Sequence, residues 1–460
     1  MTTNKQIPEH DPYVLSELNI KDPPTEFWGR LKYLGPGLIL SASIVGSGEL
    51  IATTTLGARA GFVTMWVILV SCIIKVALQL EFGRHAINTG ESTMASFNRL
   101  PGPKLGRANW TIWAWLLIMA LKFIQVGGIV GGVALALNIA FPGVSIPLWT
   151  WLAAVSVALL VFKGYYRSVE KICLAMMFAF TLLTIACVAF LQFTEYAVSW
   201  GDILDGLKFG LPAAAVGVAI AAFGITGVGG DEIMYYNYWC LEKGYAAYTG
   251  PKKDSPEWYE RARGWIRVMY VDAIVSMIIY TIATAAFYLL GAAVLHGRGE
   301  IPKGFEMVKT LSTMYTETLG PWAMWVFLVG AFVVLYSTLF AGLASWTRIL
   351  GDAFSQVGLY NFYDPKVRSR VIAILAFVVP AIWALLFLFM KAPVLMVLLG
   401  GIGTSIMLLI VIFAAINYRY VRLSKELIPS IRFDIWLWLS VAVIAFVGIY
   451  GIGVKLLDLF

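Results

Sequence analysis

The chain has 460 residues, 60% of them apolar and only 13% charged, with a mean hydropathy of +0.79. That is far from the makeup of a soluble domain and makes the lipid bilayer the solvent to reason with. A formal charge of +7 and a pI near 9.0 are no argument for a nucleic-acid partner, because the excess falls where membrane topology places it.

The polar residues at the start carry no pattern of basic head, apolar middle and small-residue cleavage site, so 1–34 are predicted to be a cytoplasmic tail. Apolar windows of about 20 residues then recur, each long enough to cross a hydrocarbon core of about 30 Å. The predicted spans are 35–58, 63–83, 109–137, 146–162, 172–192, 207–239, 268–295, 320–347, 371–390, 393–417 and 435–454. The predicted fold is therefore an all-α integral membrane protein of about eleven transmembrane helices.

Lys and Arg are retained in cytoplasmic loops. With the N-terminus inside, 25 of the 34 fall in cytoplasmic segments and 7 in outer ones, while Lys75 and Lys122 lie within helices. The split predicts a cytoplasmic N-terminus and an external C-terminus. Cys72, Cys173, Cys187 and Cys240 show no CxxC spacing and are read as packing residues, not disulfides or a metal cluster.

The first span contains Val45-Gly46-Ser47-Gly48-Glu49-Leu50-Ile51 and the sixth Val228-Gly229-Gly230-Asp231-Glu232-Ile233-Met234. Both read V-G-x-x-E followed by two apolar residues. An odd number of crossings separates the two starts, so the second copy is inserted upside down, the signature of an inverted repeat. The halves are placed at 35–206 and 207–417, with an additional helix in 418–460.

Glycine costs roughly 1 kcal/mol in a helix interior, so Gly46/Gly48 and Gly227/Gly229/Gly230 mark places where helices 1 and 6 are broken. Freed backbone groups at membrane depth must line a cavity or contact a solute. The predicted substrate-binding residues are Gly46, Ser47, Gly48, Glu49, Thr226, Gly229, Gly230, Asp231 and Glu232. Carboxylates at that depth are costly and functional by default, which makes Glu49, Asp231 and Glu232 candidate metal ligands. An acid in the first turn of a half-helix is equally a cap. Gln125, Tyr235 and Asn237 are secondary cavity candidates, with Tyr236, Tyr336 and Thr404 weaker. Lys75, Lys122 and Asp272 are read as interhelical ion pairs, as charge balance for the acids or as snorkelling groups.

Gly35-Pro36-Gly37 opening helix 1, Gly57-Ala58-Arg59-Ala60-Gly61-Phe62 ending it and Ala136-Leu137-Asn138-Ile139-Ala140-Phe141 ending helix 3 resemble the corresponding segments of NRAMP divalent-metal transporters. The resemblance implies a LeuT-type fold of two inverted five-helix repeats, with alternating access around a midplane site. The family's ion-binding residues do not carry over. Its helix 1 motif Asp-Pro-Gly-Asn falls on Gly46-Ser47-Gly48-Glu49, its helix 6 Met-Pro-His on Val228-Gly229-Gly230, and its helix 3 acids on Val126 and Ile129. Loss of the sulfur ligand points to hard ions such as Mg²⁺, Mn²⁺ or Ca²⁺, and loss of the titratable groups to transport without proton coupling.

The same Val45-Gly46-Ser47-Gly48 also looks like the Gly-Ser-Gly break of amino acid/polyamine/organocation transporters, so an amino acid or organic amine is the alternative solute. A non-transporting sensor of the same fold is the third reading. An enzyme is not expected, since His10, His85 and His296 lie outside the breaks. The expected partners are a small ionic or organic solute and the lipid bilayer, with no nucleic acid, no obligatory protein partner and no cofactor beyond a transported divalent cation. A bacterial plasma (inner) membrane is the expected location.

Overall fold

A computed structural model describes residues 11–162 and 166–457. The side chains of Ser47 and Cys173 lie outside the described set, as do residues 1–10 of the predicted tail. Among the described residues nine stretches are long and apolar enough to span a membrane. The first of these, Pro36–Thr89, holds two helices, and Ile146–Phe162 is a shorter apolar one. The eleven expected spans are thus all helical.

They are α1 (Pro36–Ser47, running on through Gly48–Thr53 into Thr54–Ala60), α2 (Met65–Thr89), α3 (Trp110–Ala140), α4 (Ile146–Phe162) and α5 (Tyr166–Leu191). In the second half come α6 (Val216–Ile225 and Gly230–Lys243), α7 (Pro256–Leu290), α8 (Ala323–Val357), α9 (Pro365–Met390) and α10 (Pro393–Asn417). α11 is Ile431–Leu457.

Exposed apolar side chains cluster on the outer helices, for example Leu152, Val155 and Leu159 on α4, Phe377 and Leu385 on α9 and Leu439 and Phe446 on α11. These are lipid-facing surfaces. α1, α2 and α6 are enclosed by the others, and polar residues within them are buried accordingly. Close crossings rest on small residues, as packing in lipid demands: Gly128 of α3 sits against the Pro393 carbonyl of α10, and Gly401 of α10 against the Ala221 carbonyl of α6.

The two motif helices lose α-regularity in different ways. In α1, Gly48–Thr53 form a π-turn, so the hydrogen-bond ladder widens without opening. In α6 the chain leaves the helix outright: Thr226 is extended, Gly227 has φ +66 and Gly229 is extended before the second half begins. Only glycine takes the left-handed step at 227 without strain.

Several helices outrun their hydropathy windows, and on one face. α2 ends at Thr89, α7 begins at Pro256, α8 ends at Val357 and α9 begins at Pro365. Hydropathy reports the lipid-immersed part, while these helices continue beyond it. At about 1.5 Å per residue α8 is roughly 52 Å long, against a core of about 30 Å. Residues of the tail strap this same face. Tyr13 is buried and its hydroxyl donates to Glu242 Oε1 at 2.7 Å. Arg348 holds the same carboxylate at 2.5 and 3.0 Å, and Asp11 pairs with Arg368 at 2.9 Å. Further along, the Trp265 indole donates to the Lys21 carbonyl at 3.0 Å.

Candidate functional site

The break in α6 opens onto a cavity of about 30 Å³ walled by α1, α3, α6 and α8. Ser43, Ile44 and Gly48 come from α1, and Lys122, Gln125, Val126 and Ile129 from α3. Ile225, Asp231, Glu232 and Tyr235 come from α6, and Thr338, Gly342 and Trp346 from α8. A water needs roughly 10–15 Å³ of such space, so the cavity takes a small ion with a water or two.

Asp231 and Glu232 occupy the first turn of the second half of α6, where free N–H groups and the helix dipole favour negative charge. Lys122 answers them from α3. Its Nζ lies 3.1 Å from Asp231 Oδ1, and it donates to Gln125 Oε1 at 2.5 Å and Thr404 Oγ1 at 2.8 Å. The Asp231 contact is an ion pair by distance but off hydrogen-bond direction, so Oδ1 has no hydrogen-bond partner. Glu232 Oε2 is likewise buried without one. It folds back over Gly229, where a β-carbon would overlap it.

Glu49 faces elsewhere. Its Oε1 accepts from Thr284 Oγ1 of α7 at 2.9 Å and from the Gly227 N–H at 3.4 Å. It therefore joins the π-turn of α1 to the break in α6 and to α7, and does not cap its own helix. Among the described residues no group of three or more His, Cys, Asp or Glu side chains is placed to hold a metal ion. The three-acid ligand set expected from the motifs is thus not assembled here: the π-turn carries Glu49 toward α7, while Asp231 and Glu232 turn toward Lys122.

Of the other predicted binding residues, Gly48, Gln125 and Tyr235 line the cavity. Gly46 does not. Its missing side chain lets α8 in, since a β-carbon there would overlap Thr338 Oγ1. Thr226 is spent on the break itself, bonding Thr53 Oγ1 at 3.0 Å. Gly229 and Gly230 are covered by Glu232 and by Met407 of α10. Asn237 lies almost two turns beyond Asp231 and donates to the Glu91 carbonyl at 3.0 Å, outside the cavity. Tyr336 donates to Ser156 at 2.8 Å.

Asp272 accepts from the N–H groups of Gly35 and Gly37, at 2.8 and 2.6 Å, and from Tyr236, capping α1 from a distance. Sequence reasoning missed Ser43 and, on α8, offered Tyr336 in place of the lining residues Thr338, Gly342 and Trp346. Thr338 and Gly342, four apart on one helical face, were the available signal. Cys72, Cys187 and Cys240 are buried and free.

A family model described as natural resistance-associated macrophage protein-like (Nramp) matches residues 37–453. The chain belongs to the Nramp family. Among its Nramp relatives, the divalent metal cation transporter MntH of Brucella suis is 24% identical over 379 residues, 79% of this chain and 75% of its own. A glutamate-to-alanine variant of the Eremococcus coleocola manganese transporter superposes with a TM-score of 0.68 at 15% identity, covering 95% of this chain and 91% of that one. MhsT in complex with L-phenylalanine gives 0.52 at 16% identity, covering 94% and 99%. Likeness at these identities is one of fold, and the fold is the LeuT-type one. The two helix 3 positions at which the Nramp resemblance expects acids, Val126 and Ile129, are apolar walls of the cavity here.

Proposed function

We propose that this Nramp protein is a secondary transporter that carries a small cation, foremost a hard divalent metal ion, by alternating access around the α6 break. The observation that supports it is the grouping of Asp231, Glu232 and Lys122 on one small cavity. Two carboxylates against one ammonium leave a formal charge of −1, which favours cations. The described lining side chains offer no sulfur, and oxygen donors suit Mg²⁺, Mn²⁺ or Ca²⁺. A divalent ion would take Asp231 and Glu232 as ligands in exchange for Lys122, whose ammonium remains held by Gln125 and Thr404.

The relatives' activities, divalent metal cation transport for the Brucella suis protein and manganese transport for the Eremococcus coleocola one, support the same reading. A singly charged organic amine matches the −1 charge equally well, and the fold is shared with MhsT. The cavity volume weighs against all but the smallest amines, since about 30 Å³ holds only two or three water-sized groups at roughly 10–15 Å³ each. The concentration of 25 basic residues on one side supports a multi-pass chain in the plasma (inner) membrane with the N-terminus cytoplasmic and the C-terminus outside. The repeat halves are proposed at 35–206 and 207–417, with α11 in 418–460.

The test is calorimetry on the purified protein with Mn²⁺, Mg²⁺, Ca²⁺, methylammonium and a panel of L-amino acids, followed by uptake into proteoliposomes. Saturable metal heat that disappears in Asp231→Asn supports the proposal. Heat with amines or amino acids alone overturns the metal, and binding without uptake turns the protein into a sensor.

A further inference from the structure

Interrupting α6 inside the membrane leaves the last carbonyls of its first half without intrahelical partners, and each such group costs free energy unless satisfied. The structure shows what satisfies them. Lys75 Nζ, from α2, donates to the carbonyls of Phe223, Gly224 and Thr226 at 2.8, 3.2 and 2.6 Å. Ser71, one turn earlier on α2, lies 2.8 and 2.9 Å from the Phe223 and Thr226 oxygens. The Phe223 ring sits beneath the ammonium at 5.5 Å. Lys75 is completely buried.

A ring of main-chain carbonyls at the negative end of a helix is what a desolvated monovalent cation requires. We infer that Lys75 is a tethered monovalent cation: its ammonium permanently fills a carbonyl-lined cation site at the α6 break, so the break is held without any bound alkali-metal ion. Lys75 is then a positioning residue acting through α6. It touches no cavity wall except through the backbone it holds, whereas Lys122 pairs with the cavity carboxylate. A transporter whose broken helix is stabilised from within has no need of Na⁺ or K⁺ to order that helix. The cavity then depends on its solute alone.

The inference deepens the transport reading in its coupling consequence but is tested separately through stability. Thermal unfolding of the detergent-purified protein is followed in Na⁺, K⁺, methylammonium and the bulky N-methylglucamine. Wild-type Tm should be indifferent to which cation is present. Lys75→Met should melt several degrees lower in N-methylglucamine and regain Tm saturably with Na⁺, K⁺ or methylammonium, as linkage requires of a vacated site. Lys75→Gln, whose amide still donates, guards against a Met variant that fails to fold and should show the same response.

A wild-type Tm that rises saturably with Na⁺ or K⁺ overturns the inference. Variants that melt low without small-cation rescue, or melt like wild type, also overturn it. Mn²⁺ uptake by wild-type proteoliposomes should be equal in Na⁺, K⁺ and N-methylglucamine, and Na⁺-dependent uptake would overturn the coupling consequence. Absence of Mn²⁺ uptake in every salt would count against the metal reading and leave the melting result standing.

Discussion

Lys122 Nζ lies 3.1 Å from Asp231 Oδ1, so the cavity already contains a cation of its own. Any positively charged solute competes with it. At an effective dielectric of about 20, unit charges some 4 Å apart interact by about 4 kcal/mol, which bounds what removing the competitor gains. Lys122→Met should bind Mn²⁺ at least ~10-fold more tightly by calorimetry, a gain of about 1.4 kcal/mol. Its metal-free form should melt lower than wild type, because a buried charge loses its partner. Weaker Mn²⁺ binding would mean that the ammonium belongs to the loaded state.

The acids of the two motifs should separate functionally. Asp231→Asn removes a charge from the cavity and should weaken Mn²⁺ binding by ~10-fold or more, the cost of about one charge-assisted contact. Glu49→Gln keeps a carbonyl oxygen for Thr284 and Gly227 and should change Mn²⁺ affinity by less than about threefold, well under 1 kcal/mol. Equal losses in titrations of the two variants would return Glu49 to the ligand set.

Gly46 should behave as a packing residue. Gly46→Ala forces a β-carbon into Thr338, and overpacking of this kind costs about 1–3 kcal/mol. The expected result is a lowered Tm, only partly restored by the companion change Thr338→Ala, because the Thr338 β-carbon and the Val334 carbonyl still crowd the position. Gly46→Asp should likewise destabilise the protein without creating a metal ligand. A stable Gly46→Asp variant with tighter Mn²⁺ binding would contradict the assignment.

Glu242 is shared by Tyr13 of the strap and Arg348 of α8. Glu242→Gln weakens both contacts and should shift the population toward a form open on the strapped face. In a Ser43→Cys background, which places a thiol on the cavity wall, alkylation from that face should accelerate several-fold. Unchanged labelling would show that the strap does not close the pathway.

The eleven crossings, the paired motifs and the placement of a cavity at the sixth helix were legible because hydropathy, glycine clustering and buried acids all reflect the same bilayer energetics. The orientation of individual side chains was not. Whether Glu49 joins Asp231 depends on a π-turn that inserts about one residue into α1, and no local preference of Gly48 or Thr53 announces it. Lys75 and Lys122 were visible as charges at depth, but their partners are main-chain carbonyls in one case and a carboxylate in the other. Such partners are set by packing. The long helical extensions of α7 and α8 were missed because hydropathy falls silent once a helix enters water.

Because the interruption in α1 is a π-turn and not a gap, Pro36 to Ala60 is one continuous rod, roughly 35 Å long at about 1.5 Å per residue. It is anchored near its middle where Gly46 seats against Thr338. A stiff rod on a central fulcrum behaves as a lever: drawing one end away from the bundle presses the other inward. Spin labels at the two ends, each paired with one on α8, should accordingly report opposite distance changes on solute binding, and parallel changes would mean that the rod bends at Gly48. Under the proposed alternating access, the closing of one end of the pathway as the other opens would follow from the geometry of this single helix, without a signal passing between them.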